Sequence, residues 1–165
     1  MKENFGWIAK HLVLPLIPFI FGTLIRFVLH GPFICAIFDP AELSFSMAML
    51  CFLVTLNASK LRDNSLAEGI SFFNILGMII FISLFVLTVF TKVLVDNNML
   101  EILGAVKKAL TDGRTNRAIL KIFNNNETTA KYVEVLATIK LLTVISSIAF
   151  FSSAIFFKFK YKLED

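Results

Sequence analysis

Residues 70–91 read ISFFNILGMIIFISLFVLTVFT, 22 positions without a single Asp, Glu, Lys or Arg. About 20 apolar residues, rising 1.5 Å each as a helix, cross a hydrocarbon core ~30 Å thick. This stretch therefore predicts a membrane span. Three further apolar runs, Leu12–Leu29, Leu43–Leu56 and Leu141–Phe157, repeat the pattern. The composition agrees, with 57% hydrophobic residues, 19 Phe and a mean hydropathy of +0.79. Four such runs with so few charges would not stay in water, which excludes a soluble globular class. The expected fold is all-α: a polytopic membrane protein with four transmembrane helices at about 12–30, 43–59, 69–93 and 135–157.

A chain of 165 residues has room for one membrane domain. Its longest polar segment, residues 92–131, is too short to build a good soluble core unaided. The first run exceeds the 7–15 residues of a signal-peptide core and carries Arg26, so a retained helix is expected there. Cys35 and Cys51 supply neither a disulfide framework nor metal-ligand spacing and read as packing residues.

Lysine and arginine set the expected orientation, because short cytoplasmic loops are enriched in them. Lys60 and Arg62 join the second and third runs, and Lys158, Lys160 and Lys162 follow the fourth. The first connection carries only Asp39 and Glu42. Both termini are thus expected on the cytoplasmic side of the membrane. The 92–131 loop opposes this with Lys92, Lys107, Lys108, Arg114, Arg117, Lys121 and Lys131, but most of its charges lie far from span ends.

Local signals place the helix ends. Pro15 and Pro18 predict a kink early in the first helix, Gly31-Pro32 its end, and residues 33–38 an apolar stub before the Asp39-Pro40 turn. Ser65 with Glu68 has the spacing of a capping box and predicts the third helix's start. Asp96-Asn97-Asn98 is expected to stop it. Met99, Ile102, Leu103, Val106 and Leu110 then share one face of a separate amphipathic helix that Asp112-Gly113 breaks. A shorter one follows with Ile119, Ile122 and Phe123, ending at Asn124-Asn125-Asn126, so that the amphipathic loop covers 98–126. The fourth helix is expected from about Thr128 to Lys160, with Lys140 at the membrane interface and a basic cytoplasmic tail at 158–165.

Helices in lipid associate by close backbone approach over small side chains. Ala41, Ser44, Ala48, Cys51, Thr55 and Ala58 form such a stripe at alternating spacings of three and four, and Ser146, Ala149 and Ser153 form a second one. One reading packs one stripe within the protomer and uses the other as a homo-oligomer seam; the competing one packs both inside a monomeric bundle.

Ionisable groups inside spans are functional candidates, because burying charge is expensive. Arg26 is the main example. Three fates are open to it: reaching the outer interface, pairing with Asp39 or Glu42, or lining a pore mouth. Asp and Glu are absent from Leu43–Leu61, Gly69–Val95 and Val135–Leu163, which argues against proton-coupled pumps and most carriers. His11 and His30 have no metal spacing, the glycines form no phosphate loop, and no catalytic trio stands out. No enzyme, cofactor or metal is expected.

The basic residues Arg114, Arg117 and Lys121 are candidate contacts for anionic lipid or a protein, as are Lys158, Lys160 and Lys162 in the tail. A solvated helix face and a positive-inside anchor are the simpler readings of the two groups. Direct nucleic-acid binding is not expected. Two functions compete: an oligomeric, non-catalytic membrane subunit anchoring a cytosolic protein and signalling membrane perturbation to it, or a small oligomeric pore. Thr55, Asn57, Asn74, Thr88 and Thr91 would face such a pore, although they form no continuous polar line.

The layout as a whole, with four spans, a short basic second loop (Lys60, Arg62), an amphipathic third loop (Met99–Phe123) and a short basic tail, resembles the membrane subunits of bacterial phage-defence systems of the Kiwa and lambda-exclusion type. The Kiwa likeness implies a cytosolic DNA-binding partner and detection of infection at the inner membrane. It covers the whole chain by layout and carries over no residue roles.

Overall fold

The computed structural model describes residues 13–30, 39–61, 63–113 and 127–161, together with positions 6, 9, 115, 117, 120 and 122. Among these residues the regular elements are all helical, without a strand. They are α1 (Leu14–His30), α2 (Pro40–Ala58), α3 (Asn64–Thr111) and α4 (Glu127–Tyr161). The last three are long and apolar enough to cross a membrane. Helix α1 is also apolar but shorter, its 17 residues reaching about 25 Å. The fold is that of an all-α membrane protein. The expected 33–38 stub and the short helix ending at residues 124–126 lie largely outside the described residues.

Two compact units divide the chain. The first takes residues up to Val86 and from Lys140 onward, so it contains α1, α2, the start of α3 and the end of α4. Asp39 starts α2 as its N-cap: the backbone is extended there (φ −105°, ψ 115°), and the side chain accepts a hydrogen bond from the Ala41 N–H at 2.9 Å. Pro40 fills the first helical position, where its missing donor costs nothing. The contacts fix how the helices run. Arg26 meets Asp39 and Glu42, so α1 and α2 are antiparallel. Ser44 Oγ lies 3.4 Å from Thr143 Oγ1, and Met47 shares a groove with Ser147, so α2 and α4 are parallel.

The centre of this unit is α2. Met47, Leu50, Cys51, Val54 and Ala58 are buried there with Ile70 and Phe81 of α3 and Phe150 and Ala154 of α4. Phe150 stacks on Phe73 at 4.8 Å and meets Phe81 edge-on at 5.4 Å, the offset and T-shaped geometries that aromatic quadrupoles favour. Gly77 makes this possible, because a Cβ at that position would run into the Phe150 ring. Outward, Phe72, Leu141, Ile145, Ile148 and Phe156 are exposed. So large an apolar surface suits a hydrocarbon solvent and not water.

The cap of α3 differs from the sequence expectation. Asp63, not Ser65, closes the helix start: its Oδ1 accepts from the Leu66 N–H at 3.2 Å and its carbonyl from the Ala67 N–H at 2.9 Å. An aspartate two residues ahead of the serine claims the same free N–H groups and carries full charge at the positive end of the helix.

The second unit, Leu87–Ile139, holds the rest of α3 and the start of α4. The expected break at Asp96-Asn97-Asn98 does not occur: α3 runs unbroken for 48 residues, more than twice the ~20 that a bilayer requires. Each Asp or Asn costs only about 0.7 kcal/mol relative to Ala in a helix interior, and no Gly or Pro reinforces them. Asn98 is also prevented from competing for local backbone, because its amide donates to Thr129 Oγ1 at 2.8 Å. The first amphipathic helix is thus the continuation of α3. On its predicted apolar face Ile102 is buried and Val106 half-buried, whereas Met99, Leu103 and Leu110 are exposed. The helix ends where Gly113 adopts φ +67° and its N–H reaches the Leu110 carbonyl.

Candidate functional site

The one cluster of opposed charge described within the apolar part of the first unit is built on α1 and the start of α2. Arg26 Nη1 donates to Glu42 Oε2 at 2.9 Å, and Nη2 donates to both Glu42 Oε1 and Asp39 Oδ2, the latter at 3.1 Å. The planar guanidinium fork matches the Glu42 carboxylate at two points, a geometry that lysine cannot supply. Asp39 works in two directions at once, with Oδ1 capping α2 and Oδ2 taking Arg26. The three side chains are only 12–30% exposed. Of Arg26's three possible fates, pairing with Asp39 and Glu42 is the one observed, in place of the free interfacial arginine.

Gly22, one helical turn before Arg26, completes the cluster. A Cβ on Gly22 would collide with the Glu42 carboxylate, so the absent side chain is what lets that carboxylate lie against α1. The sequence reading passed over this glycine. A residue without a Cβ one turn from an intramembrane arginine is the signal that could have found it.

The small-residue stripes fall in different places. On α2, Ala41, Ser44, Ala48, Cys51 and Ala58 are buried within the chain and Thr55 is half-buried. On α4, the inward positions are Thr143, Ser147, Phe150 and Ala154, whereas Ser146 and Ser153 are half-exposed and Ala149 is exposed. Of the basic candidates, Arg117 and Lys160 are exposed, and Lys160 lies 5.1 Å from the Phe156 ring centre and 5.4 Å from that of Tyr161. Lys158 is buried; Arg114, Lys121 and Lys162 lie outside the described residues.

Polar groups named as pore candidates are mostly turned inward. Asn57, Asn74, Thr88 and Thr91 are buried. Thr55, Asn74 and Thr91 each donate to the carbonyl one turn earlier in their own helix, at 2.8–2.9 Å. Among the described residues no group of His, Cys, Asp and Glu is arranged to hold a metal ion.

No family model matches this chain, and neither a curated protein nor a solved structure matches it.

Proposed function

We propose that this chain is a non-catalytic subunit of a bacterial inner membrane, with both termini in the cytoplasm, that holds a cytosolic protein partner at the bilayer and passes it a report of membrane perturbation. The observation that carries this reading is the distribution of polarity. Arg26, Ser44, Thr55, Asn74 and Thr91 bond to one another's helices or to their own backbone, Thr23, Ser46, Asn57 and Ser147 are turned inward without a partner, and the large side chains on the outward faces are apolar. An oligomeric pore needs polar groups on an outward face for neighbouring copies to share. A second observation supports the orientation: the parallel course of α2 and α4 brings Lys60 to the same end as Lys158 and Lys160, away from Asp39 and Glu42. The half-exposed Ser146 and Ser153 with Ala149 give α4 a small-residue face on which copies of the chain would associate.

The resemblance of the sequence layout to Kiwa-type membrane subunits supports a role for this anchor in anti-phage defence. Purification of the whole chain in mild detergent, followed by mass measurement of the intact complex, tests the proposal. The expected result is a homo-oligomer carrying a stoichiometric soluble protein, with electrical silence in planar bilayers. Single-channel events from the purified chain alone would overturn it in favour of the pore.

A further inference from the structure

Helix α1 has a narrow seat on the first unit. Phe21, Leu24, Ile25 and Val28 are exposed, while Leu16 and Phe19 pack on the core. Toward α4 an open apolar groove of about 330 Å³ separates Leu16 and Ile20 of α1 from Ile148 and Phe151. The described hydrogen bonds from α1 to the rest of the unit all run through Arg26, and the Thr23 hydroxyl, three residues earlier, is buried without a partner. Apolar contacts add little to helix association in lipid, because hydrocarbon is an equally good neighbour. The seat of α1 therefore rests largely on the Arg26–Asp39–Glu42 cluster and on the close approach at Gly22.

The cluster stands at the ends of both helices. Arg26 lies one turn before the end of α1 at His30, Asp39 caps α2, and Glu42 is in its first turn. The 19 residues of α2 reach about 28 Å, close to the ~30 Å of a hydrocarbon core, so a spanning α2 carries these charges at the hydrocarbon edge. Helix α3 starts at Asn64, directly after the short turn that follows Ala58, so α2 cannot slide along the membrane normal without it. Bilayer thickness then decides whether hydrocarbon or headgroup water surrounds the cluster. Charge attraction falls in inverse proportion to the local dielectric, and a water-exposed ion pair holds weakly. Under hydrocarbon, by contrast, separating Arg26 from its carboxylates would strand uncompensated charge.

We propose that the cluster is a latch set by bilayer thickness: covered by hydrocarbon it holds α1 on α2, and thinning that admits headgroup water releases α1. The inference deepens the reading above, since it rests on that reading's membrane perturbation and gives it a physical input. Its test needs no protein partner, so a latch that does not open and a partner that does not bind are separate failures.

The test is pulsed electron spin resonance on the full chain, carrying Cys35→Ser and Cys51→Ala, in vesicles of dilauroyl or dieicosenoyl phosphatidylcholine. Labels at the exposed positions Leu24→Cys and Met49→Cys measure α1 against α2. Labels at Met49→Cys and Ile145→Cys, also exposed, measure α2 against α4 and report whether the unit stays folded. The expected result is one short α1–α2 distance in the thick bilayer and a longer population in the thin one. The share of the longer population should rise about tenfold, as a covered ion pair becomes an exposed one. Arg26→Gln should show the longer distance in both lipids, with the α2–α4 distance constant throughout. An α1–α2 distance that is the same in both bilayers overturns the proposal, as does a short one in an Arg26→Gln chain with a native α2–α4 distance. Equal lengthening of both distances in the thin bilayer overturns it too, since the whole unit would then be loosening. The lipid comparison uses the intact cluster, so it decides even where Arg26→Gln does not fold.

Discussion

The Arg26 guanidinium holds the Glu42 carboxylate at two points across 16 residues of sequence, while Asp39 takes a third hydrogen bond. Removing the arginine leaves two carboxylates facing each other beside lipid. Arg26→Ala is therefore expected to destabilise the chain, by less than the ~3–5 kcal/mol of a fully buried broken pair because the groups keep some solvent contact. Thermal unfolding in detergent measures this. Arg26→Ala combined with Glu42→Gln should be less damaging than the two single losses added together.

Two glycines separate steric need from helix propensity. Gly22→Ala places a methyl group against the Glu42 carboxylate and should cost about 1–3 kcal/mol, the usual range for overpacking. Gly69→Ala meets nothing within 4 Å and should stabilise α3 by up to about 1 kcal/mol. Opposite shifts in unfolding midpoint are the expected outcome.

The approach of α3 to α4 depends on Gly77 in the same way. Gly77→Ala drives a methyl into the Phe150 ring and is expected to lower the midpoint. Adding Phe150→Leu removes the collision, so the double variant should be more stable than the sum of its parts predicts.

Cys51 is fully buried on α2, whereas Ala149 is exposed on α4. In a Cys35→Ser background, a membrane-permeant maleimide should leave Cys51 unmodified in the folded chain and modify it once the chain is unfolded in denaturant. Mild oxidation should link Ala149→Cys chains as dimers and leave Cys51 unlinked.

Asn98 donates to Thr129 within the second unit. Asn98→Ala removes the bond but raises helix propensity, so hydrogen exchange from Val95 to Leu103 should stay slow and continuous while the loss of stability stays near ~1 kcal/mol. Fast exchange confined to residues 96–98 would instead indicate the helix break read from the sequence.

Composition and run length were enough to specify that the chain is helical and lipid-solvated, since a 22-residue stretch without charge has no other satisfactory environment for its backbone. The small-residue spacing on α2 was equally legible, because heptad periodicity places those positions on one face whatever packs there. Asp63 displaced Ser65 as the cap, and α3 continued past Asp96-Asn98, because each outcome turned on a balance of about 1 kcal/mol that neighbouring groups tipped. The fate of Arg26 lay further out of reach. A lone arginine in an apolar run is compatible with the interface, with a partner or with a pore, and only the antiparallel seat of α1 on α2 brought Asp39, Glu42 and the gap at Gly22 to one place. Local patterns report the solvent that a helix prefers; which charges meet is set by contacts distant in the chain, and those exist only after the helices have packed.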